Sequence, residues 1–404
     1  MFNTLSSLVH ALGRRTSTCF RIVFADGSVY QNRDGEPAFA VRFKSAAAQT
    51  RVVLTGYTGL LESYFGGGID IDGDLGAAFR AGLESGFDAA PGLPVWLRNQ
   101  WQELARSNRT LAGAKANARA HYGLGAEFFG CWLDEPQLVY SCGYWGEGTR
   151  TLEQAQRDKL DYVCRKIRLQ AGESVVDVGC GFGGFLFHAA EHCGAAATGI
   201  DTVTEQVRWL REEVGRRLLA DRIAVREADF REPCGSFDKL VSIELLEHAG
   251  RDQLEEAIRA HARLLKPGGL GLLQFVGHVG AGDTEFLLRR HVFPGAWIPG
   301  LAETLAALDQ AGLEVLDVEN LRRHCAPTLD AWAERFERRW EEIRRLDSKR
   351  FDERFRRVWR SYLHASAEAF RAPGGRTHLF QVVVAKGSPE GYPMSRSFLY
   401  GPRG

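Results

Sequence analysis

The sequence predicts an α/β protein: a doubly wound, mainly parallel sheet preceded by a small α+β module. Three observations carry this. From Leu169 onward, strand-length apolar runs alternate with amphipathic helical stretches, the texture of a parallel sheet with helices on both faces. Within that region Val175–Gly184 is a strand running into a glycine-rich turn and a helix. Before about residue 105 the texture differs, with short alternating segments separated by Gly and Asp turns.

In the first module, Arg21–Phe24, Phe39–Phe43 and Arg51–Leu54 read as strands, Asp26-Gly27 as a hairpin turn and Gly66-Gly67-Gly68 as a loop. Asn108–Gly125 is polar and Ala-rich and reads as a linker. In the second domain the predicted order is strand Ser174–Val178, helix Gly184–Cys193, strand Ala195–Ile200 and helix Val203–Leu219. Strands Ile223–Val225 and Phe237–Ile243 follow, then helix Arg251–Leu265, the turn Lys266-Pro267-Gly268-Gly269 and strand Leu270–Val276. Ala331–Tyr362 reads as long and helical, with Trp332, Phe336, Trp340 and Ile343 at helical spacing. Residues 331–360 carry eleven Lys/Arg against seven Asp/Glu, which suits a solvated face or, more sharply, contact with anionic lipid head groups. The last residues, from 387 to 404, are rich in Gly, Pro and Ser and read as a flexible tail.

At 404 residues the chain is long enough for two or three domains. A hydrophobic share of 45% with 25% charged residues excludes a disordered or collagen-like chain. Lys plus Arg and Asp plus Glu each total 51, so the basic surplus that phosphate contacts demand is missing and no nucleic-acid partner is expected. No apolar run reaches the roughly 18 residues that span a bilayer. Leu5, Leu8, Val9 and Leu12 precede Arg14 and Arg15, the reverse of a secretory leader, so a cytoplasmic place is expected. The eight cysteines form no CxxC pair, and the expectation is reduced thiols and no metal site.

The glycine-rich turn is where ligand chemistry is legible. Glycines let the backbone approach a ligand, and the following helix offers free N–H groups. Gly179, Gly181 and Gly184 satisfy GxGxxG, and Asp201 ends the second strand, where an acid would hold a ribose. NAD and S-adenosylmethionine (SAM) both fit so far. SAM is favoured because Asp177, two residues before the first glycine, would repel a pyrophosphate but suits the cationic amino-acid end of SAM. Asp229 is placed to meet an adenine amino group, with Phe230 available to stack on the ring.

Read together, the segments His121–Phe129, Tyr140–Trp145, Leu152–Gln156, Ser242–Gly250, Val292–Gly295 and Phe370–Ala372 resemble the cyclopropane-fatty-acyl-phospholipid synthase family, which includes the mycolic acid cyclopropane synthases. The resemblance is close over about residues 115–386 and weaker before. It implies a class I methyltransferase, Rossmann-like fold over 106–386 with helical acyl-site insertions, and an N-terminal domain, 1–105, associated with lipid or with a dimer partner. It places Tyr140, Ser141, Gly179, Gly181, Asp201, Gln206 and Phe230 around SAM. It further implies that Cys142 and Glu247 help hold a bicarbonate ion beside the transferred methyl group. Most relatives complete that anion site with a His in a Leu-Leu-His segment and a Tyr just before a Thr-Leu pair. Gln274 and Cys325 stand there in this chain, and Ser366 replaces a third common Cys.

The chemistry implied is attack by an alkene on a sulfonium methyl group, followed by loss of a proton. Loss from the new methyl closes a cyclopropane; loss from a neighbouring carbon leaves a methyl- or methylene-branched chain. Aromatic faces suit the intermediate cation, with Phe128, Phe129, Tyr144, Trp145 and Trp297 as candidates and core packing as the plainer role of each. His248 reads as a structural hydrogen-bonding residue. His278, which shares a strand face with Gln274, and His324, beside Cys325, are candidate replacements for the missing imidazole.

The expected function is therefore SAM-dependent C-methylation of unsaturated acyl chains in membrane phospholipid, by an enzyme peripheral to the inner membrane face and able to form a homodimer. The alternatives are a branched instead of a cyclopropane product, a non-catalytic lipid- and SAM-binding relative and, more remotely, an NAD-dependent oxidoreductase.

Overall fold

The computed structural model describes residues 2–87, 106–232, 235–280, 287–373, 375 and 377–400. The chain folds as two compact units, the first drawn from residues 1–105, 285–292 and 329–376, the second from 106–284, 293–328 and 377–404. The first module is thus not one continuous stretch: the helical segment assigned from sequence to the second domain contributes to the first.

In the first unit, β1 (Phe20–Val23), β2 (Val29–Gln31), β3 (Phe39–Phe43) and β4 (Ile69–Gly73) form a sheet of order β2-β1-β3-β4. β1 and β2 are the antiparallel arms of the predicted hairpin, whose turn is tied by the Asp26 carboxylate accepting the Ser28 N–H at 2.9 Å. Alternation along β1 and β3 turns Phe20, Ile22, Val41 and Phe43 inward, with Phe20 stacked on Phe39 at 5.5 Å. Arg51–Leu54, predicted as a strand, lies instead in the helix Ala46–Phe65. Ser45 caps that helix by accepting the Ala48 N–H at 3.2 Å, and Val52 and Leu61 are buried, so capping and packing override the β-branched pair. The helix Phe2–Gly13 buries Leu5 and Val9 one turn apart.

The predicted helix over 331–362 is three pieces: Arg322–Arg338, whose residues from Leu329 belong to this unit, Trp340–Leu346 and Glu353–Arg371. The last restarts where Asp352 caps the Phe355 N–H at 2.8 Å. Much of the basic surplus is internally paired: Arg356 with Glu337 at 2.7 Å, Arg357 with Asp70 at 2.8 Å, and Arg339 with Glu342 at 2.7 Å.

The second unit carries a seven-stranded sheet of β5 (Ser174–Val178), β6 (Ala196–Asp201), β7 (Ile223–Glu227), β8 (Phe237–Ile243), β9 (Leu265–Gly277), β10 (Leu313–Asn320) and β11 (His378–Lys386), in the order β10-β11-β9-β8-β5-β6-β7. Only β11 runs against its neighbours. The continuous apolar runs Val175-Val176, Leu240-Val241 and Leu272-Leu273 are fully buried, as a sheet covered on both faces requires. Lys266–Gly269, predicted as a turn, opens β9. Asn108–Gly125 is no linker, because Thr110 caps the helix Leu111–Tyr122 through the Gly113 N–H at 3.1 Å. Residues 387–400, expected within a flexible tail, pack back on the unit: Leu399 is buried and its carbonyl accepts from Arg165 at 3.0 Å. Among the described residues no helix is long and apolar enough to cross a membrane.

The strand order positions the site. From β5 the chain winds outward through β6 and β7, then returns to the other side of β5 with β8. A crevice opens where those directions diverge, beyond the carboxyl ends of β5 and β8, which is where open α/β sheets bind ligands.

Candidate active site

The cavity at that crevice spans about 1090 Å³, open solvent at its mouth included. The segments after β5, β6, β7 and β8 form its walls, joined by Tyr140-Ser141 and the helix Leu152–Lys166. All nine residues expected around the cofactor line it: Tyr140, Ser141, Asp177, Gly179, Gly181, Asp201, Gln206, Asp229 and Phe230.

The floor is the turn after β5. Gly179 and Gly181 have φ of +81° and +53°, a conformation that favours glycine. A Cβ on Gly181 would meet only Gln206 Nε2, at 3.7 Å, so it would extend into the open cavity. Asp201 braces this turn, its carboxylate accepting the Gly181 and Val203 N–H groups at 2.9 Å each. Lone pairs remain on both oxygens for a ligand hydroxyl. Burial pushes Asp201 up to about 6 and Asp177 up to about 7.

Asp229, expected to meet an adenine amino group, lines the cavity and has a cationic partner of its own. Arg231 holds both its oxygens, at 2.6 and 2.8 Å, and also donates to the Asn108 carbonyl at 3.0 Å. The Arg231 guanidinium lies 5.0 Å from the Phe230 ring centroid. Tyr140 pairs its hydroxyl with His121 Nε2 at 3.1 Å.

Lys159 is a member that sequence reading missed. It is buried and its ammonium donates to Ser141 Oγ at 2.8 Å. Burial pushes its pKa down, while Glu244, Asp134 and Asp177 act the other way. The signal was present: Leu152, Ala155, Gln156, Lys159, Leu160 and Val163 share the inward face of one helix, so Lys159 falls on an apolar stripe.

Beside the cavity lies the second cluster, built on Cys142, Gln274, Glu247 and Cys325, all buried. Its centre is Glu244, the other residue missed. Glu244 Oε1 accepts the Cys142 N–H at 3.0 Å and the Gln274 amide N–H at 2.9 Å. Gln381 donates to Gln274 Oε1 at 2.8 Å. Burial raises the pKa of the Cys325 thiol, and the neighbouring Cys142 thiol adds to the rise. Glu247 accepts the Val276 N–H at 2.5 Å; burial and the nearby Glu244 charge push its carboxyl up to about 8. Glu244 also lines the cavity, so it belongs to both groups.

Thr328 organises the far side, accepting the Gly143 N–H at 3.1 Å and the Trp145 indole N–H at 2.9 Å. Tyr144 stacks between His324 and Tyr162, each at 4.6 Å. His324 Nδ1 accepts the Trp145 N–H at 2.8 Å, and His278 turns its Nδ1 to the Gly280 carbonyl at 2.6 Å. His248 bonds Tyr122 at 2.8 Å, and burial holds it down to about 4. Phe128 and Phe129 pack on Trp132, at 5.9 and 5.6 Å, as core. Trp297 is buried, and its N–H donates to the Glu247 carbonyl at 2.8 Å. Ser366 lies on the helix Glu353–Arg371, in the first unit. Spacing along the chain suggested no metal-ligand set, yet Cys164, His188 and Cys193 bring one donor atom each within 4.8 Å of one another.

The residues fit a nucleoside with a cationic tail: a turn that a Cβ would obstruct, a carboxylate for the cation, an acid at the ribose position and a ring at the far wall. Comparison with known proteins agrees. The model of the mycolic acid cyclopropane synthetase family matches residues 110–382. A probable fatty acid methyltransferase of Pseudomonas putida is 34% identical over 346 residues, 83% of this chain and 84% of that protein. The cyclopropane-fatty-acyl-phospholipid synthase of Escherichia coli strain K12 is 30% identical over 378 residues, 90% of this chain and 92% of that one. Among solved structures, mycolic acid cyclopropane synthase CmaA1 complexed with SAH and CTAB matches with a TM-score of 0.62 at 27% identity, covering 67% of this chain and 98% of that chain. The resemblance read from the motifs and the fold class it implied are both borne out.

Proposed function

The chain belongs to the mycolic acid cyclopropane synthetase family, and from that premise we propose that it methylates the double bond of unsaturated fatty acyl chains on membrane phospholipid, with SAM as donor. The observation that carries the reading is the continuity of two sites through Glu244: a cavity suited to SAM and a buried polar cluster suited to accepting a proton. Bound SAM supplies an electrophilic methyl group, to which the alkene π pair bonds as the carbon–sulfur bond breaks and its electron pair leaves with sulfur.

The chain's own residues do the rest. Asp177 receives the cationic amino-acid end, Asp201 the ribose hydroxyls, and Gln206 and Phe230 close around the nucleoside. Tyr140 and Ser141, the latter fixed by Lys159, lie between the cofactor cavity and Cys142. Burial of the cluster keeps water from the cation left on the acyl chain.

A branched product has a specific observation in its favour. Gln274 and Cys325 put an amide and a thiol where relatives offer an imidazole and a phenol, which weakens the hold on a bound anion. Expression in a host rich in unsaturated phospholipid, followed by lipid mass spectrometry and NMR, tests the reading. Acyl chains heavier by one CH2 are expected; an unchanged lipid profile from folded, SAM-binding protein refutes it.

A further inference from the structure

Glu244 follows the last residue of β8 with φ of +55°, a left-handed conformation that a non-glycine residue holds only where its surroundings fix it. The Cys142 N–H and the Gln274 amide both point at Oε1. A reversed Gln274 amide would set its carbonyl oxygen against the acceptor-only Glu244 carboxylate, so its N–H side is committed to Glu244. Two of the donors that could grip a small anion in this cluster are therefore already engaged by a carboxylate of the chain. An added anion would also stand against the Glu244 carboxylate, and like charges in a buried site repel strongly.

We propose that Glu244 is itself the proton acceptor of the reaction and that the protein turns over without bicarbonate. The inference rests on the reading of the protein as an alkene methyltransferase. After the double bond has taken the methyl group, one C–H bond of the alkylated chain breaks. Its proton goes to Glu244 Oε2, the oxygen neither amide engages, and its electron pair stays on carbon. That pair closes the three-membered ring if the hydrogen left the new methyl, or forms a double bond if it left the neighbouring chain carbon. Water entering the cavity after product release takes the proton from Glu244. Burial and the Glu244 charge push the Glu247 carboxyl up to about 8; burial raises Glu244 as well, but there the Cys142 N–H, Gln274 and Lys159 pull back towards the ionised form.

The test uses full-length protein and three readouts: SAM affinity by calorimetry, binding of 13C-bicarbonate by NMR in the presence of SAH, and product from unsaturated phospholipid vesicles in carbonate-depleted buffer. Wild type is expected to show no bicarbonate binding and the same turnover with and without added bicarbonate. Glu244→Gln should lose about 100-fold or more in turnover while SAM affinity holds within about threefold, and Glu244→Asp should retain part of the activity. Glu244→Gly, which relieves the backbone strain and removes the carboxylate, should bind bicarbonate and regain turnover as bicarbonate is added. A wild type that methylates lipid only with bicarbonate overturns this inference alone, as does a Glu244→Gln protein that keeps its turnover. Parallel loss of SAM affinity in Glu244→Gln makes Glu244 a cofactor ligand and overturns it equally. A wild type that binds SAM yet methylates no lipid in either buffer overturns the function reading and this inference with it.

Discussion

With Asp177 in its proposed role of receiving the cationic end of SAM, cofactor affinity should depend on pH, and the sign follows from its environment. Burial raises its carboxyl to about 7 in the free protein. Below that pH the group is mostly neutral and offers a cation little; above it the carboxylate is present. SAM affinity measured by calorimetry should therefore rise through pH 7 to a plateau, with net proton release on binding below it. Asp177→Asn should flatten the profile and weaken binding by about tenfold or more, the worth of a hydrogen bond to a charged group. A second outcome at this scale concerns Gln274 and Cys325. Gln274→His with Cys325→Tyr should restore donors for an external anion and move the product towards cyclopropane, read as the ratio of ring to branched chains by NMR of the extracted lipid.

The nine cofactor-cavity residues were legible because strand, glycine turn and terminal acid are local patterns, each readable within a few positions. Glu244 and Lys159 were not. Glu244 sits three residues before Glu247 in Ser242–Gly250, and nothing local tells which carboxylate faces Cys142; its amide partners, Cys142 and Gln274, lie 102 and 30 residues away in the chain. The engagement of Asp229 by Arg231, two residues on, was within local reach, but its geometry depends on the Asn108 carbonyl brought up from far upstream.

Among elements, the turn after β5 is the most exposed to test. Gly181→Val imposes a strained φ, costing about 1–3 kcal/mol, and projects a branched side chain into the cavity, its Cβ meeting only Gln206. SAM binding should vanish while the circular dichroism spectrum stays native. The helices over 331–360 offer a weaker case for lipid contact than their composition implied, since Arg356, Arg357 and Arg339 are spent on acids within the unit. Arg344 and Arg345 remain half to fully exposed candidates on Trp340–Leu346, Arg344 lying 3.8 Å from Glu341. Sedimentation with anionic liposomes should fall in Arg344/Arg345→Glu if this face meets the membrane; equal sedimentation removes these helices from the account. The strand misread at Arg51–Leu54 and the linker misread at Asn108–Gly125 share a cause: capping by Ser45 and Thr110 outweighed local composition.

At the scale of the whole molecule, alternation of strand and helix predicted the parallel part of the second sheet, but not β10 and β11, which extend it past β9 from segments beyond residue 312. Nor could sequence order show that 285–292 and 329–376 belong with the N-terminal residues in one unit, because such packing joins segments hundreds of residues apart. The second unit carries the proposed reaction. Purified protein incubated with SAM labelled in its methyl carbon and with vesicles of cis-unsaturated phospholipid tests it most directly, with the label located by NMR. The account predicts labelled carbon attached at the former double bond of the acyl chain, with SAH formed in equal amount. Label on a head-group nitrogen or oxygen, or SAH formed with no label in lipid, would contradict it.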